Sequence, residues 1–159
     1  MLKLRNAARR LATAGCAAAI VVAAGLGAGG TAQASATGTT PIGTFEYDLH
    51  GLAVKVPVGC FFTHSVEGSG KRISSQLAGV DCMGIAATFS QFCNWRIDFT
   101  YADTDNRRYR TSRGRTHTEC KGNPLRRNAA QTLPRYGKAC ARFYVNGKLR
   151  ATQCHFITK

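Results

Sequence analysis

Of the side chains in this 159-residue chain, the four histidines, His50, His64, His117 and His155, are the ones best suited to moving protons near neutral pH. Two of His64, His117 and His155 meeting in a cleft, with a Lys or Arg to hold a phosphate, would supply the base and acid of a small ribonuclease. No motif links them, and isolated histidines on strands are more often surface or hydrogen-bonded residues. The carboxylates Asp81, Asp98, Asp103 and Glu119 show no spacing that favours a glycosidase pair. Asp103, Asp105 and Asn106 begin like a calcium loop, but Arg107 stands where a third oxygen ligand belongs and no glycine follows, so a turn is the better reading. The sequence has no Gly-x-Ser-x-Gly elbow, His-Glu-x-x-His pair or glycine-rich phosphate loop. These residues point to a protein without a catalytic role, and no cofactor is expected.

The remaining chemistry is electrostatic. The chain holds 22 Lys+Arg against 8 Asp+Glu, and the excess is polarised. Residues 35–106 contain 4 Lys+Arg and 7 acids, whereas residues 107–150 contain 13 Lys+Arg and only Glu119. The densest run, Arg107, Arg108, Arg110, Arg113 and Arg115, is followed by Lys121, Arg126 and Arg127. Such a run suits an anionic polymer, whether wall polymer, nucleic acid or lipid surface, or an acidic protein; a solvated basic face fits equally well. Tyr109 is the one aromatic inside the run, which is thin for stacking single-stranded bases, so no specific nucleic acid is expected.

Lys3, Arg5, Arg9 and Arg10 precede an uncharged stretch of Ala, Gly, Val, Ile and Leu over 11–30, and Ala32-Gln33-Ala34 follows. That order predicts a cleavable secretory signal over 1–34, a new N-terminus at Ser35, an extracellular location and no membrane segment after cleavage. Cys16 leaves with the signal, and six cysteines remain: Cys60, Cys82, Cys93, Cys120, Cys140 and Cys154. An even count in a small exported domain reads as three disulfides. A zinc site is not expected, because no two of these cysteines are two to four residues apart and no His-x₃₋₅-His pair exists.

Elements to position these groups follow from periodicity and turn chemistry. Trp95, Ile97, Phe99 and Tyr101 alternate with Arg96, Asp98 and Thr100, which predicts a strand with Cys93 on its inward face. Leu52, Val54, Val56 and Val58 alternate too, and Pro57 makes that strand an edge or bends it. Hairpins are predicted at Gly68-Ser69-Gly70, at Asp103–Asn106 and at Asn146-Gly147, the last a type I′ pair. Counting outward from Val145 opposite Lys148 sets Cys140 against Gln153, so Cys140 and Cys154 face opposite ways and bond elsewhere unless a bulge shifts the register. Residues 76–92 hold at most a short helix. The expectation is an all-β protein, a small antiparallel β-sandwich or barrel stapled by three disulfides, with a flexible tail over 35–44 and a single domain over 45–159. Phe45, Tyr47 and Leu49 alternate and suit a further strand.

The stretches Gly79-Val80-Asp81-Cys82, Cys93-Asn94-Trp95-Arg96-Ile97-Asp98-Phe99, Tyr109-Arg110-Thr111-Ser112-Arg113-Gly114, Gly137-Lys138-Ala139-Cys140 and Ala151-Thr152-Gln153-Cys154-His155 resemble small exported proteins of filamentous actinobacteria, and among them the adaptor of umbrella toxin particles. The resemblance implies a non-enzymatic subunit bridging a repeat-containing toxin polypeptide to a lectin-like subunit, in a particle released against competing bacteria. It also implies an extended N-terminal segment that engages the partner, for which Phe45, Tyr47 and Leu49 are the candidates, as an added edge strand or a groove filler.

Overall fold

The computed structural model describes residues 35–159; the signal expected over 1–34 lies outside the described residues. The described chain starts in β1 (Ala36–Ile42), makes a ribbon of β2 (Phe45–Leu49) and β3 (Leu52–Val56), and continues into the hairpin β4 (Cys60–Ser69) and β5 (Arg72–Cys82). One helical turn, α1 (Ile85–Phe89), leads to β6 (Trp95–Ala102), β7 (Arg108–Ser112), β8 (Leu125–Asn128) and β9 (Gln131–Thr132), and the hairpin β10 (Gly137–Val145) and β11 (Lys148–Ile157) follows. Besides the two-stranded β2–β3 ribbon, two antiparallel sheets result, ordered β1-β4-β5-β8, with β9 also on β5, and β11-β10-β6-β7. The fold is all-β, as composition and alternation predict.

The sheets share one core. Phe62 of the first sheet stacks on Phe143 of the second with ring centres 5.7 Å apart, and Phe92 meets Phe143 edge-on at 5.3 Å. Trp95, Ile97, Phe99 and Tyr101 point inward as their alternation requires, and Cys93 joins them. Their neighbours Asp98 and Thr100 are buried as well, because β6 lies between β10 and β7. Asp98 there accepts hydrogen bonds from Arg96 Nε and the Gly114 N–H at 3.0 and 2.9 Å.

Two expectations are corrected. Residues 36–42 are not part of a loose tail: β1 pairs with β4 from Ala36 opposite Val66 to Ile42 opposite Cys60. Small polar residues carry no hydrophobic signal, yet Thr37 and Thr39 match Ser65 and Thr63 hydroxyl to hydroxyl across the pair. Cys140 and Cys154 do bond to each other. The Asn146-Gly147 turn forms with Val145 opposite Lys148, but a register shift between Phe143 and Tyr144 leaves Arg150 without a partner and brings Cys140 opposite Cys154. The other disulfides are Cys60–Cys82, across the β4–β5 pair, and Cys93–Cys120.

The remaining hairpins form close to their predicted places. The β4–β5 turn is Gly70-Lys71, beyond a bulge at Gly68, where a Cβ would strike the Arg72 carbonyl. β3 stops at Val56, one residue before Pro57. Side chains close the flanks of the sandwich. On one, Thr40 Oγ1 donates to the Thr152 carbonyl at 3.2 Å, and Gly38 allows β1 to pack against Gln153 of β11. On the other, Arg126 donates to the carbonyls of Ile97 and Ser112, both at 2.7 Å, with its guanidinium 4.9 Å from the Phe99 ring centre.

Replacing both Cys140 and Cys154 with Ala releases a loop of sequence separation 14, so urea denaturation should show a loss of about 3 kcal/mol on the chain-entropy scale.

Candidate functional site

His64 and His155, on adjoining strands of the two sheets, meet with ring centres 4.9 Å apart. Two histidines therefore converge as an acid–base pair would need, but not in a cleft. His64 is 0% exposed. Its Nε2 accepts from Gln76 Nε2 at 2.9 Å, since an amide nitrogen can only donate, which leaves the proton on Nδ1. That Nδ1 is buried with no hydrogen-bond partner; the Gln153 carbonyl favours its proton without completing a bond. Burial and the neighbouring His155 push the His64 pKa down to about 3. His155 donates through Nε2 to the His64 carbonyl at 2.8 Å.

From His64 a polar chain crosses the core. Tyr101 donates to Gln76 Oε1 at 2.6 Å and accepts from Asn128 Nδ2 at 3.0 Å and from Gln131 Nε2. Burial raises the Tyr101 pKa, against the pull of these amides. The chain links both sheets and takes up Nε2 of His64. His117 lies elsewhere, stacked on Trp95 with ring centres 3.9 Å apart and planes 5° from parallel. Burial lowers its pKa, with Arg115 and Lys121 adding to the effect. His50 occupies the β2–β3 turn at φ 54°.

The arginine run does not form one patch. Arg107 is exposed in the Asp103 turn, where Asp103 Oδ1 accepts its N–H at 2.8 Å. Arg108 and Arg110 fall on opposite faces of β7, because the ladder shifts between Tyr101 and Ala102. Arg113 is exposed near the Arg126 clamp, and Arg115 lines a shallow hollow with His117 and Glu119. Register assembles a different basic face: Arg108 shares the outer side of the second sheet with Arg96, Lys138 and Arg142. Tyr144 and Phe156 lie on the same side, each beside a cation, with Arg96 4.5 Å from the Tyr144 ring centre and Lys138 5.1 Å from that of Phe156. Lys138, Arg142 and Tyr144 share this face by alternation along β10, but the sequence reading did not single them out; what only the ladders show is that Arg96, Arg108 and Phe156 join them, the last two past a register shift.

Phe45, Tyr47 and Leu49 do form the predicted strand, but it pairs with β3 and turns inward. Tyr47 is buried, and its hydroxyl donates to the Gln91 carbonyl at 2.7 Å and accepts the Cys93 N–H at 3.2 Å. Arg150 covers Phe45, its guanidinium 4.0 Å from the ring centre. Tyr47 thus fastens the ribbon to the core, and Phe45 and Leu49, half-buried, pack against it.

Large apolar groups are exposed at a different place. Val58, Met83, Ile85 and Phe89 are 71%, 63%, 75% and 68% exposed. Ile85 and Phe89 are one turn apart on α1, whose Ala86 is buried beneath them. Met83 and Val58 are brought together where the Met83 N–H bonds the Gly59 carbonyl at 2.9 Å. The Cys60–Cys82 bridge pins the base of this end. Comparison of the chain with protein-family models, curated proteins and solved structures finds no match.

The His64 environment gives a signed pH effect. Its folded pKa of about 3 lies below the ordinary 6.5, so above pH 6.5 neither state binds the proton and no penalty arises. As pH falls from 6.5 towards 3 the unfolded chain takes a proton that the folded one refuses, and stability drops by up to about 1.4 kcal/mol per pH unit. Urea midpoints at pH 7, 5 and 4 should trace this slope, and His64→Asn should flatten it.

Proposed function

We propose that the protein is a secreted, disulfide-stapled interaction module that docks other proteins of an extracellular assembly through the apolar end of its sandwich. The observation that carries this is the exposure of Val58, Met83, Ile85 and Phe89 together on a cross-linked base. Contiguous apolar side chains lose roughly 25 cal/mol per Å² while they face water, and they recover it when a partner covers them. A site of this kind needs little reorganisation on binding, because β4, β5 and the disulfide already hold its base.

Three disulfides fit an oxidising exterior, and among the described residues no helix is long and apolar enough to cross a membrane. On this reading the partners are those that the resemblance implies: a repeat-containing toxin polypeptide and a lectin-like subunit, bridged by a subunit that does no chemistry. Docking through α1 is preferred to docking through Phe45, Tyr47 and Leu49, because Tyr47 is buried and Phe45 and Leu49 pack half-buried against the core.

The test is co-purification of tagged protein with secreted proteins of the producing culture in moderate salt. The wild type should retain a stoichiometric partner. Ile85→Glu combined with Phe89→Glu, both at exposed positions, should weaken that partner at least tenfold while leaving the urea midpoint unchanged. Retention of the same partner by this variant would overturn the reading.

A further inference from the structure

The outer face of β11-β10-β6-β7 holds two adjoining depressions of opposite character. One, of about 230 Å³, is lined by Thr100, Asn106, Arg108, Lys138 and Arg142, with the Cys140–Cys154 disulfide in its wall. Among the described residues none of its three cations forms an ion pair. The acid on that face, Asp98, opposite Arg142 in the ladder, is already taken by Arg96 and the Gly114 N–H. Lys138 holds the Asn106 side-chain oxygen at 2.6 Å, and Arg142 Nε is buried with no hydrogen-bond partner. Three cations gathered on one face without a carboxylate partner call for an anion from outside.

The second depression, about 300 Å³, lies between Tyr136, Phe156, Thr104 and Lys159 and is almost wholly apolar. Phe156 is 71% exposed there. Lys138 joins the two hollows, since it lines the first and stands over the Phe156 ring of the second. A ligand covering both must carry regular negative charge and a flat ring with a face free to stack. We propose that this face binds single-stranded nucleic acid, with phosphates on Arg108, Lys138 and Arg142 and one base stacked on Phe156.

A polyol phosphate has the charge but no ring, so it would leave the Phe156 hollow wet. An acidic polysaccharide has rings whose hydroxyls need polar partners, which an apolar hollow withholds. A base can stack its π-face on the exposed Phe156 while its polar edges stay in water, and neither phosphate nor stacking contacts read its identity, so binding is independent of sequence. Lys138 and Arg142 are four residues apart on β10, hence about 13 Å, and β7 lies two strands away, about 10 Å. This area suits a short stretch of strand, on the order of 4 nucleotides.

The experiment uses the full disulfide-bonded chain and the fluorescence anisotropy of a labelled 12-residue oligothymidylate at low salt. Unlabelled inorganic polyphosphate and heparin serve as competitors. The oligonucleotide should bind, Phe156→Ala should weaken it roughly tenfold, and the same substitution should leave polyphosphate affinity unchanged. Arg108→Gln with Arg142→Gln should weaken both ligands. It should also lower the salt slope for the oligonucleotide by about 1.4, because each phosphate neutralised on a single strand accounts for about 0.7. Arg127→Gln, on the outer side of the other sheet, removes one charge, as Arg142→Gln does, and should do little. Three results would each overturn the proposal: no oligonucleotide binding, polyphosphate or heparin bound as tightly with Phe156→Ala inert, or Arg127→Gln as damaging as Arg142→Gln.

Discussion

Tyr101 donates its phenolic hydrogen to Gln76 across the gap between the two sheets, at 2.6 Å, and much of the molecule is arranged to make that bond possible. Gln76 spends its amide nitrogen on His64, and Asn128 and Gln131 bring the ends of β8 and β9 onto the same hydroxyl. In a low-dielectric interior each of these groups would be costly if left unpaired, so the chain of bonds specifies one relative placement of the sheets. Apolar packing around Phe62 and Phe143 would tolerate small slips that this polar chain does not.

That placement has consequences on both surfaces. Because the inner faces of β6 and β10 are committed to the core, their outer faces are left to charged residues, and the ladder sets which of them sit side by side. Arg126 shows how strongly position outweighs residue type. It belongs to the basic stretch of the sequence, yet the fold uses it as a clamp on the Ile97 and Ser112 carbonyls. Burial lowers its pKa, opposed by Asp98 and Tyr101. Arg108, earlier in the same stretch, stays outside and free of ion pairs among the described residues.

The exposed apolar end and the basic face therefore arise from one plan. The core takes the alternating aromatic and β-branched residues, disulfides fasten the hairpins, and what remains outside separates by character. Ile85 and Phe89 project from a helical turn anchored by Ala86, whereas Lys138 and Arg142 project from β10, paired on both sides, and Phe156 from the edge strand β11. The first is a knob on a rigid base and the second a flat, corrugated surface. These shapes suit a protein groove and an extended polymer respectively.

Much of the architecture was legible in the residues because it is local. Alternation at Trp95–Tyr101, the Asn146-Gly147 pair and the even cysteine count depend on neighbours a few positions away, and period-two geometry turns them into strands, turns and an all-β class. β1 escaped because threonines and glycine hold no hydrophobic contrast, and its strand character comes from the free edge of β4. The Cys140–Cys154 bond and the basic face escaped for a sharper reason. The disulfide, and the place of Arg108 and Phe156 beside Lys138 and Arg142, depend on an inserted residue in a ladder, and one residue of register turns a side chain from one face to the other. The converging histidines show the same division: their chemistry is written in the chain, but the burial that drives His64 to a pKa of about 3 comes from residues distant in sequence. Charge, cysteine count and strand content were thus settled by the sequence itself, whereas tertiary structure alone settled which cations share a surface, which aromatics join them and which histidine is sealed from water, because burial and register are properties of the assembled sheets.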